Sequence, residues 1–197
     1  MHWKHTNWLK ILNFFKEDPR AKATFATKCV NPKLLNFNPE NKIRIRFSLM
    51  PARMSEILEP KTSPIIERIK TVNIFIEAGY EVHLNFAPII TYEGWLTEYA
   101  KLFEDLAPYM INNQYKPFIK AECIFLTHND KQHERNIASN RLESEALIWQ
   151  PNIQENKVSE YGGKAVRYKA GIKSSFIQRW SVLHDRLLPW NKIRYIF

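Results

Sequence analysis

The chain has 197 residues, 45% apolar and 25% charged, an ordinary globular composition that excludes disorder along its whole length. It carries 29 basic against 20 acidic side chains, a formal net charge of +9, and 13% of its residues are aromatic. Two cysteines, Cys29 and Cys123, exclude a disulfide scaffold, a cysteine-rich zinc site and an iron–sulfur cluster held by three or four thiolates of this chain.

Thr6-Asn7 can cap a helix expected over residues 8–16. There Trp8, Leu9, Ile11, Leu12 and Phe15 recur at helical spacing, and Asp18-Pro19 stops the run. Residues 23–28 read as a short strand. Residues 43–50 alternate, with Ile43, Ile45, Phe47 and Leu49 on one face and Arg44, Arg46 and Ser48 on the other. A helix is expected over 64–78, with Ser63 as N-cap, Pro64 in its first position and Gly79 just past its end. Residues 81–88 form a strand whose two faces hold Val82, Leu84 and Phe86, and His83, Asn85 and Ala87. An amphipathic helix over 95–109, a strand over 118–127 and a helix over 130–139 follow.

After Trp149 the pattern changes. Polar residues 152–160 lead to the turn signal Gly162-Gly163, a strand over 164–169 and a second turn at Ala170-Gly171. A helix then starts at Ser174/Ser175 and ends at Pro189, and residues 193–197 form a last short strand. Residues 162–173 thus read as a hairpin or basic loop projecting between the sheet and a closing helix. This divides the chain into 1–147 and 148–197.

The strand–helix alternation, with crossovers of sufficient length, predicts an α/β fold with a parallel sheet, open or curled into a barrel. Several strands have one polar face, carrying Thr24 and Lys28, Arg46 and Ser48, and His83 and Asn85. A sheet covered by helices on both sides is apolar on both faces. A polar face therefore points to a lumen or cleft, the alternative being a solvated sheet face. These residues lie near strand C-terminal ends, where α/β proteins gather binding groups.

Charge is unevenly spread. Residues 1–50 are net +7, residues 81–110 net −4 and residues 151–197 net +6. The last segment interleaves Lys and Arg with Tyr161, Tyr168, Phe176 and Trp180, which suits a polyanion, the alternative being a solvated basic surface. His2/His5 and His128/His133 have no carboxylate or cysteine at a metal-ligand spacing, so no metal site is expected, and His133 and Glu134 read as solvated. No Gly-rich phosphate loop, nucleophile elbow or catalytic triad is present. Lys28 beside Cys29 could favour a thiolate, but a lone cysteine more often packs, and Cys123 belongs to the core. No apolar run is long enough to span a bilayer, and the first eight residues lack the apolar stretch of a secretory signal, so a cytoplasmic location is expected.

The strings ATFATKCVNP, RIRFSLMP, TSPIIERIKTVNIFIEAGYEVHLNFAPIITYEGW and IFLTHN, then VRYKAGIK and the terminal IRYIF, resemble the spore photoproduct lyase family of radical S-adenosylmethionine enzymes. The resemblance extends over roughly residues 6–197 and is most specific over 62–95. It implies a partial (β/α)6 barrel with parallel strands and outer helices, a C-terminal β-hairpin and helix, and a [4Fe–4S] cluster on a three-cysteine loop. The cluster cleaves S-adenosyl-L-methionine, and the resulting radical reverts a thymine-dimer lesion in DNA.

By the same resemblance, Lys28 matches the lysine at the carboxylate of S-adenosylmethionine, and Ser48 matches a serine near its methionine moiety. Asn85 and Ala87 match the strand end lining the adenosyl pocket. Arg167, Tyr168 and Lys173 match the basic-aromatic hairpin that approaches the lesion in duplex DNA. The cluster loop and the hydrogen-donating cysteine of the family have no counterpart here, so no catalytic residue is assigned. The expectation is a C-terminal portion cut at Met1 and inactive alone, its missing half carried upstream or by a separate polypeptide. The alternatives are a non-catalytic DNA-binding protein and a non-functional remnant.

Overall fold

The computed structural model describes residues 7–110, 114–126, 128, 130–158, 162 and 164–197. In chain order the elements are α1 (Trp8–Glu17), β1 (Ala23–Thr27), β2 (Ile43–Ser48), α2 (Ala52–Leu58), α3 (Ile65–Glu77), β3 (Glu81–Ile89), α4 (Trp95–Met110) and β4 (Ala121–Phe125). Then come α5 (Asp130–Ala138), α6 (Leu142–Ile148), β5 (Gln154–Val158), β6 (Lys164–Tyr168), α7 (Ile172–Leu187) and β7 (Ile193–Ile196). Five strands pair in the order β1-β2-β3-β4-β7, all parallel, while β5 and β6 form a separate antiparallel hairpin. Neighbours in the sheet follow one another along the chain, so the sheet winds in one direction, as in an arc of a barrel.

Register decides what each face holds. Ile45 stands opposite Val82, Phe47 opposite Leu84, and Phe86 opposite Cys123. All are buried toward the helices. Phe47 meets Phe75 of α3 edge-on, and Phe86 meets Phe103 of α4 and Trp180 of α7. Trp180 is the hub: it lies parallel to Trp95 and edge-on to Tyr99 with ring centroids 4.6 Å apart. Such pairs add about 0.5–1.5 kcal/mol each beyond the area they bury. The C-terminal segment is thus tied to the sheet twice, by α7 against α4 and by β7 beside β4.

Local signals explain most boundaries. Asn7 caps α1 by accepting from the Lys10 N–H at 3.0 Å. Gly79 follows α3 at φ +90°, where a Cβ would collide with Asn38 Oδ1. Ser63 departs from expectation: Pro64 occupies the N-cap of α3, and the Ser63 hydroxyl accepts from the Val30 N–H at 3.0 Å instead. The strand expected from residue 118 begins at Ala121, because Lys116–Phe118 forms a 3-10 turn. Its expected end at Thr127 lies outside the described residues. Helix α7 starts at Ile172, directly after the turn at Gly171.

Candidate functional site

The face of the sheet away from the helices is polar, and its two ends differ. Toward the N-terminal ends of the strands, Glu81 accepts from Arg44 Nε at 2.6 Å, lies 2.8 Å from His83 Nε2, and is also paired with Lys22. The Lys120 N–H donates to His83 Nδ1 at 2.9 Å, which leaves the ring proton on Nε2, facing Glu81. Burial alone would raise the Glu81 carboxyl, but Lys22, Arg44 and His83 hold it down at about 2. One step along, the buried Glu122 accepts from Arg46 at 2.8 Å, Arg194 at 3.1 Å and Tyr195 at 2.6 Å.

Beyond this, Ser48 and Asn85 touch each other, and among the described residues Lys28 is joined to them only through Glu59 and Arg68. Asn85 Nδ2 donates to Ser48 Oγ at 3.1 Å across the β2–β3 pair. Asn85 Oδ1 is buried and has no partner among the described residues. A buried acceptor left open is costly and rare, so it fits a donor supplied by a ligand. Lys28, just past β1, pairs with Glu59 Oε1 at 2.6 Å. Glu59 in turn accepts from Arg68 Nη1 at 3.0 Å, and the same guanidinium nitrogen donates to the Ser48 carbonyl at 2.9 Å. Two cations therefore share one carboxylate. Arg68 is fully buried, whereas the Lys28 side chain is 42% exposed, so the surplus positive charge faces outward.

Lys28, Glu59, Pro88 and His128 line a half-open cleft of about 240 Å³. That is below the roughly 300–1,000 Å³ of complete small-molecule pockets. Ser48 and Asn85 do not line it. They join it through Arg68 and Glu59, and Ala87, partly exposed beside Pro88, adds little bulk at the strand end. A larger hollow of about 760 Å³ lies at the opposite end of the sheet, beside Arg44, His83 and Arg194, where the polar groups are already paired.

The hairpin rises from the cleft's rim. The Val166 N–H donates to the His128 carbonyl at 2.8 Å, and Thr91 Oγ1 donates to the Tyr168 hydroxyl at 3.3 Å. Arg167 points outward but pairs with Glu155 across the hairpin at 2.7 Å. Tyr168 is buried edge-on against Phe176. Lys173, in the first turn of α7, sits over the Phe197 ring. The aromatics expected to be available for stacking are turned inward: Trp180 and Tyr168 are core residues, and Tyr161 lies outside the described residues. Alternation held the clue, since Val166 and Tyr168 share the buried face of β6.

One expectation is corrected. His128 and His133 do have a carboxylate partner: Glu145 Oε1 lies 2.9 Å from His128 Nε2 and 2.5 Å from His133 Nδ1. Glu145 comes from α6, beyond the reach of any local spacing rule. His2 and His5 lie outside the described residues. Glu59 and Arg68 were likewise not singled out, because nothing in their local sequence marks them as joining Lys28 to Ser48.

The sequence profile of the family described as spore photoproduct lyase matches residues 2–197. The chain belongs to the spore photoproduct lyase family. It is 36% identical over 106 residues to a spore photoproduct lyase of Bacillus subtilis (strain 168), a stretch that is 53% of this chain and 31% of the relative. It is 30% identical over 99 residues to that of Geobacillus sp. (strain Y412MC61), covering 50% of this chain and 29% of the relative. Among solved structures, a spore photoproduct lyase double mutant with bound AdoMet and dinucleoside spore photoproduct superposes with a TM-score of 0.83 at 22% identity, over 95% of this chain and 55% of that one. Another, complexed with dinucleoside spore photoproduct, gives the same values. The matched regions therefore span between about a third and about a half of these relatives. The expected fold is borne out: parallel strands of an incomplete radical S-adenosylmethionine barrel, outer helices and an added hairpin.

The family's iron–sulfur cluster does not fit the cysteines of this chain. Cys29 is exposed beyond β1, while Cys123 is sealed in β4 on the helix-facing side, where burial pushes its thiol up to about 12. For S-adenosylmethionine the donor set is suited at one point: the outward Lys28 ammonium matches its carboxylate, while the open Asn85 acceptor lies buried outside the cleft.

Proposed function

We propose that these 197 residues are the cofactor- and lesion-binding part of a radical S-adenosylmethionine lyase acting on a thymine lesion in DNA, and that they cannot perform the reaction alone. The observation that carries this reading is the shared location of two clusters. Lys28, with its charge only partly matched, and the base of the basic hairpin flank one cleft at one end of the sheet. Lys28 holds the cofactor carboxylate, Ser48 and Asn85 orient its polar atoms, and the small Ala87 leaves room beside them. When bound, the cofactor supplies the hydrogen-abstracting group. Arg167 and Lys173 contact phosphates beside the lesion, and Tyr168 fixes the hairpin's angle from within.

The reading assigns residues 1–147 to the barrel and 148–197 to the basic hairpin, the closing helix α7 and the terminal strand β7, the last two packed on the barrel. It also names a partner. Among the described residues β1 pairs only with β2, leaving a parallel edge open to a further strand. A polypeptide segment carrying the three-cysteine loop completes the barrel there, in a cytoplasmic setting.

Two measurements test this. Anaerobic reconstitution of the chain with iron and sulfide should give no visible cluster absorbance and no S-adenosylmethionine cleavage; either would refute the claim of inactivity. Titration with S-adenosylmethionine should show binding that Lys28→Ala weakens at least about tenfold, a loss of about 1.4 kcal/mol. Equal affinity in that variant would overturn the cofactor assignment.

A further inference from the structure

We propose that His128, His133 and Glu145 form a binding site for a divalent transition-metal ion, with Zn²⁺ the best match to the donor set. The site stands apart from the cofactor reading and does not rest on it. The three donor atoms lie within 4.8 Å of one another. They come from three places: the segment after β4, helix α5 and helix α6. Zinc bonds of about 2.0–2.2 Å in tetrahedral geometry place donors about 3.3 Å apart. The present separations from Glu145 Oε1, 2.9 Å and 2.5 Å, need only to open by less than an ångström.

The carboxylate is already aimed. Asn136 Nδ2 donates to Glu145 Oε2 at 2.7 Å, and Gln132 donates to Asn136 Oδ1 at 2.9 Å, so the second oxygen is occupied and Oε1 is left for the centre. Outer partners of this kind are what orient metal-bound carboxylates. His128 is almost wholly buried with Nε2 facing Glu145; binding through Nε2 places the ring proton on Nδ1, which has no partner among the described residues. The His133 side chain is half exposed and gives the ion a way in. Two imidazoles and one carboxylate suit Zn²⁺, Co²⁺ or Ni²⁺. Mg²⁺ and Ca²⁺ prefer all-oxygen shells. A bound ion would pin the α5–α6 pair to the end of β4, where the His128 carbonyl also holds the hairpin.

The test uses the full chain, untagged and free of iron. After incubation with Zn²⁺ and gel filtration, about one equivalent should remain bound, and Co²⁺ should give the intense visible bands of a tetrahedral site. His133→Ala changes an exposed residue and should keep the parent circular dichroism while lowering Zn²⁺ affinity at least about tenfold. Glu145→Gln should do the same, whereas Cys29→Ala should retain the metal. No retained Zn²⁺ in the parent chain, or equal retention in His133→Ala, would overturn the site. If Glu145→Gln fails to fold, the parent and His133→Ala still decide it.

Discussion

The two ends of the polar sheet face are built from the same residue types and differ in how they are paired. Toward the N-terminal end Glu81 receives Lys22, Arg44 and His83, and at mid-sheet Glu122, the register partner of Asn85, receives Arg46, Arg194 and Tyr195; among the described residues only Arg46 Nε of these groups is left over. At the C-terminal end one carboxylate, Glu59, is shared by two cations, and the Asn85 oxygen has no donor among the described residues. Matched charge holds the strands together. Unmatched charge at the other end is a cost to the fold that a ligand can relieve.

If that division is right, one residue of the C-terminal end should still be essential for folding. Arg68 is fully buried and also donates to the Ser63 carbonyl, Ser55 Oγ and Thr62 Oγ1. Arg68→Met leaves Glu59 with Lys28 alone and strips the buried donor from the Ser48 and Ser63 carbonyls, and should cost about 3–5 kcal/mol in urea unfolding. Adding Glu59→Gln should recover part of that loss.

The matched end should reveal itself through acid. The folded value of Glu81, about 2, lies below its ordinary 4.5. Its contribution is therefore complete above pH 4.5 and fades as pH falls toward 2. The upper bound is roughly 3 kcal/mol. Glu81→Gln should flatten that part of the stability–pH curve; an unchanged acid limb would mean that the pairing adds nothing.

Two neighbours on β3 sharpen the contrast. His83→Ala removes a ring bonded at both nitrogens and should cost about 2 kcal/mol. Asn85→Ala removes one bond and an unpaired acceptor, so it should stay within about 1 kcal/mol while weakening S-adenosylmethionine binding. Equal destabilisation by the two variants would erase the distinction between the ends.

How much of this could be read in advance depended on range. The alternation of Ile43 to Ser48 placed Arg46 and Ser48 on the polar face because strand geometry is local, and it holds in the structure. Asn7 and Gly79 likewise ended their helices by local chemistry. Helices α2 and α6 were missed because seven residues are too few to establish a period. The links Lys28–Glu59–Arg68 and His128–Glu145–His133 were missed because each partner arrives from another element. Composition also drew attention to Trp180 and Tyr168 as surface aromatics, whereas helix and strand periodicity places both in the core.

The smallest expected effect carries the contrast to the hairpin. Arg167 and Glu155 are both exposed, so neither Arg167→Ala nor Glu155→Ala should shift stability by more than about 0.5 kcal/mol. Their effects on duplex DNA should be opposite. On the proposed reading Arg167→Ala removes a phosphate contact and should reduce the salt dependence of binding by about one ion. Glu155→Ala frees the guanidinium from its carboxylate and should tighten binding at low salt. That outcome would make Arg167 a second half-neutralised cation, like Lys28, held by a carboxylate until a phosphate displaces it. Weaker binding in Glu155→Ala would instead show that Glu155 positions Arg167, and the pair would then belong with the matched charges that hold the fold.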